Sequence, residues 1–451
     1  MKLISVLRGL VDWSALAIDL RPLRENRQFR LLFTGRLVSL AGLGMLMVVF
    51  SWQIYELTGS SLQVALVNAT LGVAAFAGSL VGGVQADRAD RRRLIVWSRT
   101  AAVLGFVALA VNASLPEPSV AVLYVVALWD GVAGGFSSTA LAAAVPAVLT
   151  RRQIPASGAL MAISIDVGSV VAPLLAGVLL AVGSAALVYW VVVAVSLLSL
   201  VFLLGLRPIV PTADESGPDD SAGLWPDLVA GVRYAAGDRI VGGVLLLGFV
   251  QILFASPYVL IPEFITDDLG GGPTALGLVY SAPAAGALVA TLLSGWTGRV
   301  RRIGRVQFIV FTAACLAVAG FGAAPALWVA VVAMAVVGAM DVLAEVVRFT
   351  ILSERTPDHL RGRVASLWSA QGTVGETLGG PALSLLARPL GAGGAIAAGG
   401  LIGAAATAAL WAGLAPLRTL TREPDDFDEP DEVDEAAAGI PAETTMEEMP
   451  R

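Results

Sequence analysis

Twelve apolar runs of roughly 20 to 30 residues follow one another along this chain, each long enough to cross a hydrocarbon core about 30 Å thick. They begin near Leu31, Ser61, Leu94, Val120, Ser157, Ala186, Val241, Thr274, Val306, Leu327, Val364 and Ala395. Lipid offers backbone N–H and C=O groups no partner, so a spanning segment must satisfy them internally, as a helix or within a closed barrel. These runs lack the in–out alternation of barrel strands and are therefore helices. Composition agrees: with 57% hydrophobic and 14% charged residues, there are too few charges to coat a soluble protein of 451 residues. The expected fold is an all-α integral membrane protein with twelve transmembrane helices, spans 1 to 12.

Basic residues set the orientation. They gather before span 1 (Arg21, Arg24, Arg27, Arg30), at Arg88 to Arg93, at Arg151 and Arg152, from Arg299 to Arg305, from Arg355 to Arg363 and at Arg418. On an alternating path all of these fall on one side, and only Arg388 falls on the other. By the positive-inside rule that side is the cytoplasm, with both termini there and the protein in the inner, or cell, membrane. Residues 1–30, with Asp12 and Asp19 in their apolar stretch and no small-residue cleavage site, read as an interfacial segment. From Glu423 onward the chain carries 12 acids and one Arg, so the overall net charge of −6 hides a body at +5. Residues 419–451 are expected to be a separate, disordered cytoplasmic tail.

Between spans 6 and 7 the apolar rhythm stops over residues 207–238, where Pro208, Pro211, Asp214, Glu215, Asp219 and Asp220 mark a cytoplasmic linker. Leu224 to Ala236 within it suits a short amphipathic helix. The linker divides the chain into six-helix bundles over 31–206 and 239–418. The halves repeat: Asp130 and Asp341, Pro146 and Pro357, and Arg152 and Arg363 are each offset by 211 residues. Two pseudo-symmetric bundles with a site between them near the midplane is an arrangement used by secondary transporters.

The loop between spans 2 and 3 reads Gly83-x3-Asp87-Arg88-x2-Arg91-Arg92-Arg93. It is similar to the signature at this loop of the major facilitator superfamily, with Asp90 where that family usually has Gly. Phe29-Arg30-x2-Phe33-x2-Arg36-x2-Ser39, Leu115-Pro-Glu-Pro-Ser119, Leu128-Trp129-Asp130-Gly131 and Gly168-Ser-Val170 with Pro173 resemble its enterobactin-exporter (siderophore) branch over roughly Phe29 to Arg418. The resemblance implies proton-driven export of a siderophore or a similar bulky hydrophilic metabolite. In span 5, Gly168-x3-Ala172-Pro173-x2-Ala176-Gly177 is similar to the superfamily's antiporter motif, and Gly375-x3-Gly379-Gly380-Pro381 is its counterpart in span 11. The Arg that many proton antiporters of the superfamily carry in span 4 is absent, so another group must carry the proton. In the family, the loop Asp, here Asp87, meets the N-terminal end of a helix in the other half, which points to span 11. Arg88, Arg92, Arg361 and Arg363 would join that gating network. The second-half counterpart of the loop has Gly295 and Arg299 to Arg305 but no Asp, so the gate is expected to be asymmetric.

Ionisable side chains inside spans are expensive and face cavities or one another. Desolvation favours the protonated carboxyl, so a carboxylate in such a cavity can load and release a proton near neutral pH. Asp130, Asp341, Glu345 and Glu376 are the proton-carrier candidates, with Arg348 placed i+3 from Glu345 for an ion pair. The alternative role for such charges is to lock helix register. Asp166, Arg36 and Arg99 are the other charges within spans. Arg36, Trp52, Gln53, Trp129, Tyr258, Tyr280, Trp368 and Gln371 are candidates to line a substrate cavity, where aromatic faces suit catecholate-like ligands.

Other classes fit poorly. The chain has no phosphate-binding loop, and its only lysine is Lys2, so it carries no ATP site of its own. One cysteine, Cys315, and one histidine, His359, argue against a metal site, and nothing suggests nucleic acid or a cofactor. A carboxylate enzyme, a channel and a non-transporting sensor are the remote alternatives. The close alternative is a broad-specificity drug efflux pump. The expected partners are a small molecule, protons and the lipid bilayer, with the protein a monomer.

Overall fold

The structure, a computed structural model, describes residues 20–210, 224–293 and 300–421. The expectations for residues 1–19, for 211–223 of the linker, for the stretch around Gly295 and for the tail beyond 421 fall outside these residues. The first six spans are the helices Arg27–Thr58, Ser61–Ala86, Arg91–Ser114, Val120–Ala147, Ile154–Val182 and Ala185–Leu204. Span 7 is Arg239–Phe254, and spans 8 to 10 are Pro273–Leu293, Ile303–Gly322 and Leu327–Arg355. Spans 11 and 12 run as one helical stretch, Asp358–Gly413, broken at Gly391 by a left-handed φ of 72° that an L side chain rarely adopts.

Each of the twelve apolar runs therefore lies on helix. Ten helices among the described residues are long and apolar enough to cross a membrane, or up to eleven if the bent pair around Asp238 is one span. The difference from twelve has two sources. Spans 11 and 12 meet at the Gly391 break with no loop between them and so count once, and span 7 stops at Phe254, short of a full crossing. Its path resumes after Ala255–Leu260 with Ile261–Glu263 and a π-helical turn, Phe264–Asp268. The linker helix forms as expected, Leu224–Gly237, and Val229–Gly237 is bent 111° from span 7. Tyr234 Oη donates to the Arg355 carbonyl (3.0 Å) at the end of span 10, and Gly231 seats against the Arg363 backbone at the start of span 11, which ties the linker helix to both.

Glycines decide how closely the helices meet. Between spans 2 and 4, the Leu71 and Ala75 carbonyls lie against Gly131 and Gly135, while Gly78 and Gly82 meet Val132 and Phe136. The second half repeats this: Gly286 of span 8 meets the Ala335 carbonyl of span 10, and Gly338 of span 10 meets the Pro283 carbonyl. The motifs of spans 5 and 11 behave alike. Gly44 of span 1 faces Ala172 and Gly168 of span 5, while Gly375 and Gly379 of span 11 face Ile252 and Leu253 of span 7.

Across the halves, span 5 packs on span 8 and span 2 on span 11. Gly177 lies against Gly277, the Pro173 carbonyl also meets Gly277, and Gly380 approaches Ala65. These contacts sit in the part of the bundle away from the basic loops, as does the bond from Tyr55 Oη of span 1 to Asp267 Oδ2 (2.6 Å). Adding side-chain volume at such a point forces backbones apart, at about 1–3 kcal/mol. Gly177→Val is accordingly expected to lower the thermal unfolding midpoint in detergent micelles. Gly134→Ala, where an added Cβ meets open space, should leave it unchanged or higher. Equal midpoints for the two variants would overturn the packing account.

Candidate functional site

The richest polar cluster lies in the second half, around a cavity of ≈180 Å³ between spans 7, 10 and 11. Span 10 brings Asp341, Glu345 and Arg348 to it on one face, as spacings of four and three residues require. Span 11 brings Glu376, and the broken stretch after span 7 brings Tyr258. Gln251 Nε2 donates to Asp341 Oδ1 at 2.5 Å, which links span 7 to span 10. Arg348 donates to the Glu345 carboxylate and lies over the Trp368 ring, its Cζ 4.5 Å from the centroid. Gln371 stands beside it, with both groups close to Gly248. A side chain at position 248 would displace them, so the glycine makes room for the guanidinium. Arg348 and Gln371 are buried, while Glu345 is half-exposed and Glu376 exposed. The wall thus presents three carboxylates and keeps its one guanidinium covered.

Tyr258 and Tyr280 stack with centroids 6.4 Å apart, and Tyr280 Oη donates to the Tyr258 carbonyl (2.9 Å). Tyr258 lines the cavity, and Tyr280 stacks on it. Three of the four carboxylates singled out in the sequence therefore converge, along with Tyr258, Tyr280, Trp368 and Gln371. Gln251 was not singled out, although a lone amide near the end of an apolar run was a visible sign.

Asp130 sits apart, in the first half. It is buried on span 4, within electrostatic reach of Arg99 from span 3, which in turn senses Arg36 on span 1. Arg99 Nε is buried without a hydrogen-bond partner among the described residues. The basic neighbour that span 4 lacks in its own sequence is thus supplied across the bundle. Gln53 is buried and accepts from Tyr189 Oη (2.8 Å), joining span 1 to span 6. Trp129 donates its indole N–H to the Ala101 carbonyl (2.7 Å) and packs over Gly105 of span 3, and Trp52 packs against the core. Pro381 sits half-buried in span 11, beside the close contact at Gly380.

At the basic-loop end, Asp87 and Arg88 are exposed, and among the described residues the Asp87 carboxylate has no hydrogen bond or ion pair. Its neighbour Asp90 is the engaged acid. Asp90 Oδ1 accepts from the N–H groups of Arg92 (3.0 Å) and Ile209 (2.9 Å), capping span 3 and tying down the chain that leaves span 6. Arg92 donates to the Leu204 carbonyl (3.0 Å) and Arg361 to the Ser353 carbonyl (3.3 Å), each within its own half. Gly83 has open space where a Cβ would point. Loss of the cap at Asp90→Ala should cost about 1 kcal/mol, read as a lower unfolding midpoint. Asp87→Ala should leave that midpoint unchanged, and an equal loss for both variants would contradict this division.

Known proteins match at two levels. A family model described as "Transmembrane secretion effector" matches residues 17–438. The enterobactin exporters EntS of Escherichia coli O1:K1 / APEC and of Shigella boydii serotype 18 are each 33% identical to this chain over 362 residues, 80% of this chain and 86% of theirs. Among solved structures, a POT family transporter in complex with 5-aminolevulinic acid aligns with a TM-score of 0.70 at 12% identity, covering 87% of this chain and 97% of its own. The nucleoside transporter NupG aligns at 0.69 and 16% identity, covering 86% and 98%. A bacterial homologue of the iron transporter ferroportin, in an inward-facing state, aligns at 0.65 and 18% identity, covering 85% and 98%. At these identities the structural matches show the fold alone.

Proposed function

This chain belongs to the transmembrane secretion effector family of major facilitator transporters, is a multi-pass membrane protein and not an enzyme, and we propose that it exports a siderophore or a similar bulky metabolite across the inner membrane in exchange for protons. The observation that carries the reading is the wall of Asp341, Glu345 and Glu376 around one cavity, in a chain 33% identical to enterobactin exporters over most of its length. Only Arg348 lies among these acids, and it is held by Glu345 and Trp368, so Asp341 and Glu376 are the groups left to exchange protons. Asp341 is the first choice, because Gln251 holds its carboxylate toward the cavity from another helix.

With both termini cytoplasmic, the close contacts at Gly177, Gly380 and Tyr55 shut the outer side, and the exposed Asp87 loop lies at the inner side. Closure on that side supports an inward-open reading, in which substrate enters from the cytoplasm. Protonation of Asp341 from outside and its release inside would accompany the return of the empty carrier. In the outward-open state, Asp87 would find its partner at the positive N-terminal end of span 11. The chemistry of the wall suits hydroxyl-rich ligands, which hydrogen-bond to carboxylates and stack on Tyr258 and Tyr280.

The test is secretion by an iron-starved strain lacking this protein, with siderophore measured in the medium and in the cells. Loss of secretion with intracellular build-up, restored by the wild-type chain and not by Asp341→Asn, is the expected outcome. Normal secretion in the absence of any redundant pump would discard the siderophore assignment and favour a broad drug efflux pump. The outer closure has its own check. Tyr55→Phe removes the bond to Asp267, and a cysteine placed near Tyr258 should then label several-fold faster from outside in whole cells. Unchanged labelling would show that this bond does not hold the outer side shut.

A further inference from the structure

Where the linker helix turns into span 7, a shallow cavity of ≈460 Å³ is lined by Arg233, Tyr234, Asp238, Arg239 and Pro416, among others. Three elements meet there: the linker helix, the start of span 7 and the short turn Ala415–Arg418 that follows span 12. The polar groups other than the arginines are already engaged. Asp238 Oδ1 accepts from the N–H groups of Ile240 (2.7 Å) and Val241 (3.1 Å), and the Tyr234 hydroxyl is bonded to the Arg355 carbonyl. Arg233 and Arg239 are exposed, and neither guanidinium has a partner among the described residues.

The linker helix has two faces. Gly231 and Ala235 are buried, the first against the Arg363 backbone and the second with its carbonyl against Gly242. Val229 and Val232 are 41% and 48% exposed, and Arg233, four residues from Val229, shares their side of the helix. The 111° bend from span 7 lays this helix across the bundle axis, close to the plane of the membrane that the long spans cross. A helix so placed, with apolar side chains and Arg on its free face, suits the headgroup layer.

We propose that Arg233 and Arg239 bind the phosphate of an anionic phospholipid of the adjoining leaflet, with its acyl chain against Val229 and Val232. Guanidinium groups take phosphate oxygens through paired, charge-assisted hydrogen bonds, and basic residues at this level attract anionic lipid. Because Tyr234 and Gly231 tie the same helix to the end of span 10 and the start of span 11, the lipid holds the linker helix in its seat beside the basic-loop end of the carrier. This rests on the membrane reading of the fold and not on the substrate or the coupling ion.

The experiment places the full chain in nanodiscs of phosphatidylcholine, with or without a fraction of phosphatidylglycerol, and measures the unfolding midpoint and the lipid that stays bound on re-extraction. Phosphatidylglycerol should raise the midpoint by a few degrees and be retained in excess over its share. The Arg233→Gln/Arg239→Gln double variant should match wild type in pure phosphatidylcholine and lose both effects, and the corresponding Lys pair should keep part of them. An undiminished rise in the Gln pair would overturn the proposal. So would a rise reproduced by inorganic phosphate in pure phosphatidylcholine, which would make the ligand a free anion. A phosphatidylglycerol effect seen only after removal of residues 422–451 would assign the pocket to the acidic tail instead. Transport plays no part in either readout, so failure of the export assignment and failure of this one are separable.

Discussion

Backbone-to-backbone contact at glycine is the interaction on which this structure depends. In lipid there is no hydrophobic gain from pressing one apolar helix on another, so association relies on close van der Waals packing. Here the packing is obtained by removing side chains: the Ala75 carbonyl on Gly135, the Pro283 carbonyl on Gly338, the Pro173 carbonyl on Gly277. The first two build the halves and the third joins them. Because the contacts between halves named above are small and sit toward one end, they can part without dismantling either half. Tyr55 and Asp267 add one polar bond at the same end, a modest contribution that a few new contacts elsewhere could match.

The polar cavity follows from that frame. With the glycine contacts holding spans 8 and 10 together, span 10 presents Asp341, Glu345 and Arg348 inward, and the interruption of span 7 leaves Tyr258 beside them. A buried guanidinium without partners would be costly, and Arg348 is met by a carboxylate, an aromatic face and the space left by Gly248. Its charge is thereby covered while Glu376 stays exposed. The wall therefore presents more carboxyl groups than cations to the cavity.

The fold was largely legible in the sequence, because its strongest determinant is the length and evenness of the apolar runs. Every run lies on a helix, and the linker helix forms within one residue of its expected end. What was less legible depends on contacts between distant segments. That span 7 stops at Phe254, and that its carbonyls at Ile252 and Leu253 rest on Gly379, involves residues more than a hundred positions apart. The glycines that matter most for packing spans 2 and 4, Gly78, Gly82 and Gly135, carry no motif, whereas the motif residue Gly83 faces open space. Within the loop, the position at which the chain departs from the family pattern proved informative: Asp90 is the residue that caps span 3 and binds Ile209.

The internal repeat shows where sequence symmetry stops predicting chemistry. Asp130 and Asp341 occupy equivalent places in spans 4 and 10, yet their surroundings differ. Asp130 is enclosed, with Arg99 reaching it from span 3. Asp341 lines a cavity, takes a hydrogen bond from Gln251 and shares its wall with two further acids. Duplication supplied the same residue twice, and the partners it meets are set by other spans: an arginine of span 3 in the first half, an amide of span 7 and an acid of span 11 in the second. The glycine contacts between spans 5 and 8 and between spans 2 and 11 thus join two halves whose polar interiors are unlike.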